Sequence, residues 1–445
     1  MTAAAPGYCA IDFGTSNSAI AIAAPFPASG SAAAAMRLVE LEPGQRTMPT
    51  AVFYAADGGL HGQPQCEFGR AAVAAYVDGI DGRLMRSMKS ILGSSLIEQT
   101  TDIGGGRAVR YLDVVATYLA HLRRRAEAEA GVAIGRAVLG RPVFFVDDDP
   151  GRDAQAERAL KSAALRAGFR EVEFQYEPIA AAFDYEQGVR GEEKVLVADI
   201  GGGTSDFSVV RVGPRRAAAL DRKADILANH GVHIAGTDFD RRIELASILP
   251  ELGYGALGPS APGAPAREVP SAVYFDLATW HLINTVYNPQ RVAELRQMRA
   301  FYAEPRHHAR LLRVLAERLG HDLLARAEAA KIEVAEGGVT CIDLDRIESG
   351  LAVSVRHETA HQALDADADR IVDVARETVR QAGLPATAIE ALYFTGGSTG
   401  LRLLTDRLAG AFPAATVVRG DRFASVATGL GLHARRLHGA PARAA

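Results

Sequence analysis

The chain has 445 residues, 48% of them hydrophobic and 23% charged, with 49 Lys and Arg against 53 Asp and Glu for a net charge of −4. This is globular composition, neither disordered nor fibrous, and its slight acidic excess excludes a whole-protein nucleic-acid platform, which needs a basic surface. Three widely spaced cysteines (Cys9, Cys66, Cys341) fit a reducing cytoplasm better than a disulfide framework, and neither a membrane span nor a secretory leader is legible in the sequence.

In chain order, Tyr8 to Ile11 reads as a strand, DFGTSNS (12–18) as a polar glycine turn, and Ala19 to Ala24 as the returning strand of a hairpin. Asp113 to Ala130 is an amphipathic helix closed by Gly131. Val138 to Val146 is a strand interrupted by Pro142, and Asp153 to Ala167 a helix stopping at Gly168. Val172 to Gln175 is a short strand, followed by a helix from Ile179 to Glu186 that opens after Pro178.

A second hairpin of the same plan begins at Val195, with Asp199, Gly201, Gly202, Gly203 and Thr204 at its turn and Phe207 to Val212 returning. Residues 253–270 are rich in Gly, Pro and Ala, a loop or insertion boundary. The stretch from about 272 to 336 is mostly helical and Arg-rich, with His307 and His308 expected in solvent. Residues 357–381 form one helix, Ala391 to Thr395 a strand ending in Gly396-Gly397-Ser398-Thr399, and Leu401 to Ala411 and Ser425 to Leu437 close the chain. Helices and strands alternating at this rhythm imply an α/β sheet, and two matching hairpins imply two related lobes facing each other.

The chemistry lies in those turns. No G-x-x-x-x-G-K-[ST] run is present, and GGGTSD fails the dinucleotide spacing. Turns without bulky side chains can bring backbone N–H groups close to a phosphate, and Thr15, Ser16, Thr204 and Ser205 add hydroxyl donors. Asp12 and Asp199 could hold Mg²⁺ between the lobes, mainly through water. His357-Glu358-Thr359-Ala360-His361 matches a zinc-protease motif, but no third ligand lies near it along the helix, so a solvated helix face is expected.

DFGTSNS (12–18), YEPIAAAFDYE (176–186), DIGGGTSDFSVV (199–210), AGTDFD (235–240) and FTGGSTGLRLL (394–404) resemble, in order, the motifs of the heat-shock-protein-70 chaperone family. The resemblance implies an actin-like ATPase fold, α/β throughout, with two ribonuclease-H-like lobes around a cleft for ATP or ADP and Mg²⁺. It implies lobe I over 1–188 and lobe II over 189–390, with an enlarged helical insertion at about 253–336. Residues 391–445 would complete the adenosine site.

The family pattern further implies that Asp12, Gly14, Thr15 and Ser16 hold phosphates from one lobe and Gly201, Gly202, Gly203 and Thr204 from the other. Asp199 and Asp206 would organise metal and attacking water, Glu177 would stand near the metal's water shell, and Lys89 would be the catalytic lysine. Gly236, Glu328, Lys331, Gly396, Gly397 and Ser398 would line the nucleoside and its α-phosphate, and Pro142 resembles an interlobe switch proline. Ile332, Ala335 and Gly400 stand where the family has Arg, Ser and Arg, which should weaken adenine stacking.

The chain resembles the short, YegD-type members, with no substrate-binding domain expected. Protein clients or co-chaperones are the implied partners beside ATP. A nucleotide-dependent regulatory module with weak turnover, and a small-molecule kinase of the same superfamily, remain alternatives.

Overall fold

The computed structural model describes residues 7–24, 36–57, 65–147, 149–259, 266–422 and 424–439. The first six residues and the tail 440–445, on which the leader and tail expectations partly rest, lie outside the described residues.

Each Asp-Gly-Thr-Ser unit opens a five-strand path of the same design. Gly7–Phe13 pairs antiparallel with Asn17–Ala23, which pairs antiparallel with Met36–Leu38. On the other flank Ile134–Arg141 and Glu171–Tyr176 add in parallel. In the second lobe Glu193–Ile200, Ser205–Val212 and Ile226–Val232 are antiparallel neighbours, and Ala391–Thr395 and Thr416–Arg419 add in parallel. Numbered within each lobe, both sheets run 3-2-1-4-5. The central strands are the apolar ones: Val195, Leu196, Val197 and Ala198 are all buried, as a strand covered on both faces requires.

Helices carry the parallel crossovers, and local chemistry sets their ends. Tyr111–Ala130 stops at Gly131, which adopts the left-handed conformation. Pro150–Arg166 begins with proline in its first turn, and the Asp149 carboxylate accepts from Arg152 N at 3.0 Å. Glu177–Glu186 begins with Pro178 in its first turn. The strand expected to run through Pro142 to Val146 instead ends at Arg141, because proline has no N–H to continue the ladder.

Two excursions stand on the lobes. In the first lobe Ala51–Ala55 pairs with Cys66–Phe68 and Gly82–Arg86 beside the helix Gly69–Val77. In the second lobe, helices Ala272–Leu277, Ile283–Val286, Pro289–Gln297, Pro305–Ala316 and Gly320–Glu333 make up the insertion. Its Arg310 is buried between Glu251 and Glu348. His308 is buried rather than solvated: its Nε2 donates to the Leu295 carbonyl at 2.8 Å, an internal partner that its surface-like sequence context concealed.

The helix Ser425–His438 returns to the first lobe and lies on Glu177–Glu186 and on the central strand Gly7–Phe13. Only glycine permits this approach at 429, where a Cβ would fall 1.9 Å from the Ala180 carbonyl oxygen. No helix among the described residues is long and apolar enough to cross a membrane.

Candidate functional site

The two hairpin turns meet. A Cβ on Gly202 would lie 2.6 Å from Ser16 Oγ, so only the bare backbone of the second turn fits against the first. The first turn is braced from behind by Thr50, whose Oγ1 donates to the Gly14 carbonyl at 2.8 Å and whose N–H donates to the Ser16 carbonyl at 2.9 Å. Thr15 and Ser16 stay half-buried at the tip.

The second turn closes through Gly201 N–H to the Thr204 carbonyl at 3.0 Å, while Thr204 Oγ1 donates to Asp206 Oδ2 at 2.7 Å. Gly203 faces open space. Gly236 and Thr237 donate their N–H groups to the Gly201 and Gly202 carbonyls at 3.2 and 2.8 Å. The Ser398 hydroxyl also donates to the Gly201 carbonyl, at 2.7 Å, which ties the Gly396-Gly397-Ser398 turn to the same loop.

Asp12 and Asp199 are each the second-last residue of a central strand, close enough to interact. Burial and the carboxylates around them raise both: Asp12 is pushed up to about 8, with Glu177 and Asp199 adding to the effect of burial. Asp199 is pushed up to about 7, with Asp206 and Glu177 adding. Lys89 opposes both shifts. Its Nζ sits 2.5 Å from Glu177 Oε1. Burial works against the ammonium, but Glu177, Asp12 and Asp199 outweigh it and raise its pKa.

Lys89 rides on a short turn of 3₁₀ helix, Met88–Ile91, entered through Ser87 in the left-handed region (φ 53°). A non-glycine residue held there marks an over-determined local structure. Gly140 is a residue that sequence reasoning missed: a Cβ there would come within 3.1 Å of Glu177 Cγ and Oε1, so the glycine makes room for that carboxylate. No motif around Gly140 signals this.

At the far end of the cleft the expected nucleoside residues divide. Glu328 is exposed on the helix Gly320–Glu333. Lys331 is not: it is buried with its ammonium 2.5 Å from Asp240 Oδ1, inside the second lobe. Burial pushes Asp240 up to about 6 against the pull of Lys331. Ile332 is 63% exposed beside them. Gly400 leaves space that Arg422 fills, since a Cβ at 400 would meet Arg422 Nη1 at 2.6 Å.

Over the cleft the two excursions touch. The Arg86 guanidinium lies 4.1 Å from the Trp280 ring, and Tyr76, Trp280 and His321 pack within 5.6 Å of one another, centroid to centroid. Both ring nitrogens of His321 are buried without a hydrogen-bond partner among the described residues, and burial with Arg86 nearby pushes it down to about 4. His433, on the buried face of the last helix, is also pushed down to about 4.

Both histidines therefore stay neutral in the folded state and gain a proton on unfolding. Their contribution is complete above the ordinary value of 6.5 and is lost as pH falls from there towards 4. Each should cost on the order of 1–2 kcal/mol at pH 5. Thermal melts at pH 7 and pH 5 should show the loss, and His321→Phe should shrink the gap between them while raising the melting temperature at both. An unchanged gap would contradict the assignment.

The duplicated sheet and the carboxylate- and glycine-lined cleft between the copies define the actin-like ATPase fold. The chain belongs to the Hsp70 family: the family model described as Hsp70 protein matches residues 8–246. It is similar to the "Chaperone protein DnaK" of Thermosipho melanesiensis, at 32% identity over 235 residues, and to those of Thermosipho africanus at 31% and Thermotoga neapolitana at 30%. Each match covers 52% of this chain and 34% of the relative, so the chain spans about a third of the length of these relatives.

Proposed function

We propose that the cleft binds ATP with Mg²⁺ and hydrolyses it to ADP and phosphate, as the nucleotide-binding part of a chaperone-like protein whose lobes close on the nucleotide. The single observation that carries this reading is the convergence of Asp12, Glu177, Asp199 and Asp206 on one ammonium, Lys89, where two glycine turns meet. Four carboxylates around one fixed cation leave an excess of negative charge, but no three ligating side chains among the described residues are grouped to hold a metal directly, so a hard divalent cation would be held through its waters. Bound magnesium would neutralise phosphate charge through its water shell.

The remaining roles belong to the chain. Backbone N–H groups of 14–16 and 202–204 hold the phosphates, with Gly201 closing the second turn behind them; Lys89 stabilises charge that builds on the transferred phosphoryl group, and Asp199 with Asp206 and Thr204 orients the attacking water. Single-turnover hydrolysis of the wild type and of Asp199→Ala tests this, with a loss of about 100-fold or more expected. Equal rates would remove the role given to Asp199. Client proteins and co-chaperones are the partners that this reading implies, in the cytoplasm.

A second reading, a nucleotide-dependent regulatory module with slow turnover, is favoured by the burial of Lys331 against Asp240 and by the bare flank at Ile332. Arg422 is the cation left near the glycine turn to stack on adenine. Arg422→Ala should weaken ATP binding about tenfold in a calorimetric titration and leave tripolyphosphate binding unchanged. Equal losses for both ligands would place the guanidinium on the phosphates instead.

A further inference from the structure

A second cavity, of about 400 Å³, opens in the second lobe between the end of the strand Ile226–Val232, the helix Gly236–Ile243 and the helix His357–Gln381. Its polar lining is His233, Asp238, Arg241, Arg242, Asp367 and Arg370. The two acids are already engaged. Asp367 accepts both arms of Arg242, at 2.9 and 3.2 Å, and Asp238 Oδ2 accepts from Ala235 N at 3.1 Å.

The other two guanidiniums make no ion pair or hydrogen bond with a described residue. Arg241 Nε is out of water with no acceptor, its carbon resting 5.6 Å from the Phe275 ring, and Arg370 makes no ion pair with any described residue. They stand on different helices, with the exposed His233 imidazole lining the same space. Three arginines against two satisfied aspartates leave the cavity cationic.

We propose that this cavity is a binding site for a phosphate dianion, free or carried on a small ester, separate from the nucleotide cleft and independent of the ATP reading. Chemistry and size both point there. Planar guanidinium forks match the oxygens of a phosphate, and Arg370, exposed and without an ion pair among the described residues, can turn its fork onto one. The volume suits a small molecule. One wall of the cavity is the helix Gly236–Ile243, whose first residues Gly236 and Thr237 hold the second glycine turn through their N–H groups, so an occupant would stiffen the helix that supports that turn.

The test is calorimetric titration of the full chain with inorganic phosphate and, separately, with glycerol phosphate. The variants are Arg370→Glu, at an exposed position where folding is not at issue, Arg241→Gln, and Lys89→Ala in the nucleotide cleft. Saturable binding that falls about tenfold or more in Arg370→Glu and Arg241→Gln, and is retained in Lys89→Ala, is the expected result. Tighter binding of glycerol phosphate would assign the site to an ester, and tighter binding of inorganic phosphate to the free ion. Binding unchanged by Arg370→Glu, lost with Lys89→Ala, or absent for both probes would overturn the proposal.

Discussion

Replacing Lys89 by alanine is expected to slow single-turnover ATP hydrolysis by about 100- to 1,000-fold while ATP binding changes by much less. The reason is the charge balance of the cleft. Lys89 is the ammonium set against Asp12, Glu177 and Asp199, and it counters the raised pKa of both aspartates. Its 2.5 Å pair with Glu177 fixes it at the mouth of the two glycine turns. Without it the carboxylates repel one another and no cation fixed in the protein meets charge that develops on the phosphoryl group. A merely structural lysine would lower the melting temperature and leave the rate of the folded fraction near that of the wild type. Rate and melting temperature measured on the same sample separate the two outcomes.

The largest expected effect on stability lies at the opposite end of the helix Glu177–Glu186. Arg222 has a fully buried side chain and donates to both oxygens of Glu186, at 2.9 and 2.8 Å, to Asp225, and to the Arg211 carbonyl at 3.1 Å. Glu186 also accepts from Gly213 N at 2.9 Å, so the pair joins that helix to the second hairpin. Arg222→Ala leaves the buried Glu186 carboxylate without its counter-ion, while Asp225 keeps Arg216, and should cost about 3–5 kcal/mol. Equilibrium urea denaturation measures it, and a change below about 1 kcal/mol would mean that water reaches the cluster.

The fold was legible because its signals are short-range. Apolar runs around DFGTSNS and DIGGGTSD, Gly131 past a helix and Pro178 at the start of another are each decided within a few residues. Strand and helix ends moved by at most three residues, apart from the strand that Pro142 terminates. The turns of the candidate site were legible for the same reason, since a phosphate loop is local in sequence.

Contacts between distant residues were not. That Lys331 is spent on Asp240, that Arg86 lies over Trp280 and that Arg422 stands above Gly400 depend on how insertions pack, and no periodicity encodes them. His308 was misread because a pair of histidines in an Arg-rich segment has the composition of a surface, while the carbonyl that binds it lies in another helix. Gly140 carries no motif because its task is only to be small next to Glu177.

The last helix gives the molecule a particular folding order. Because Ser425–His438 covers the central strand that begins at Gly7, the first lobe stays uncapped on one face until synthesis has passed residue 438. During synthesis the second lobe can assemble around its own strands while the first waits with an apolar face open, the condition under which nascent chains call for protection. Closing a loop of this length also adds an entropic cost to completing the first lobe. Loss of the last helix would therefore damage the lobe that lies farthest from it in sequence.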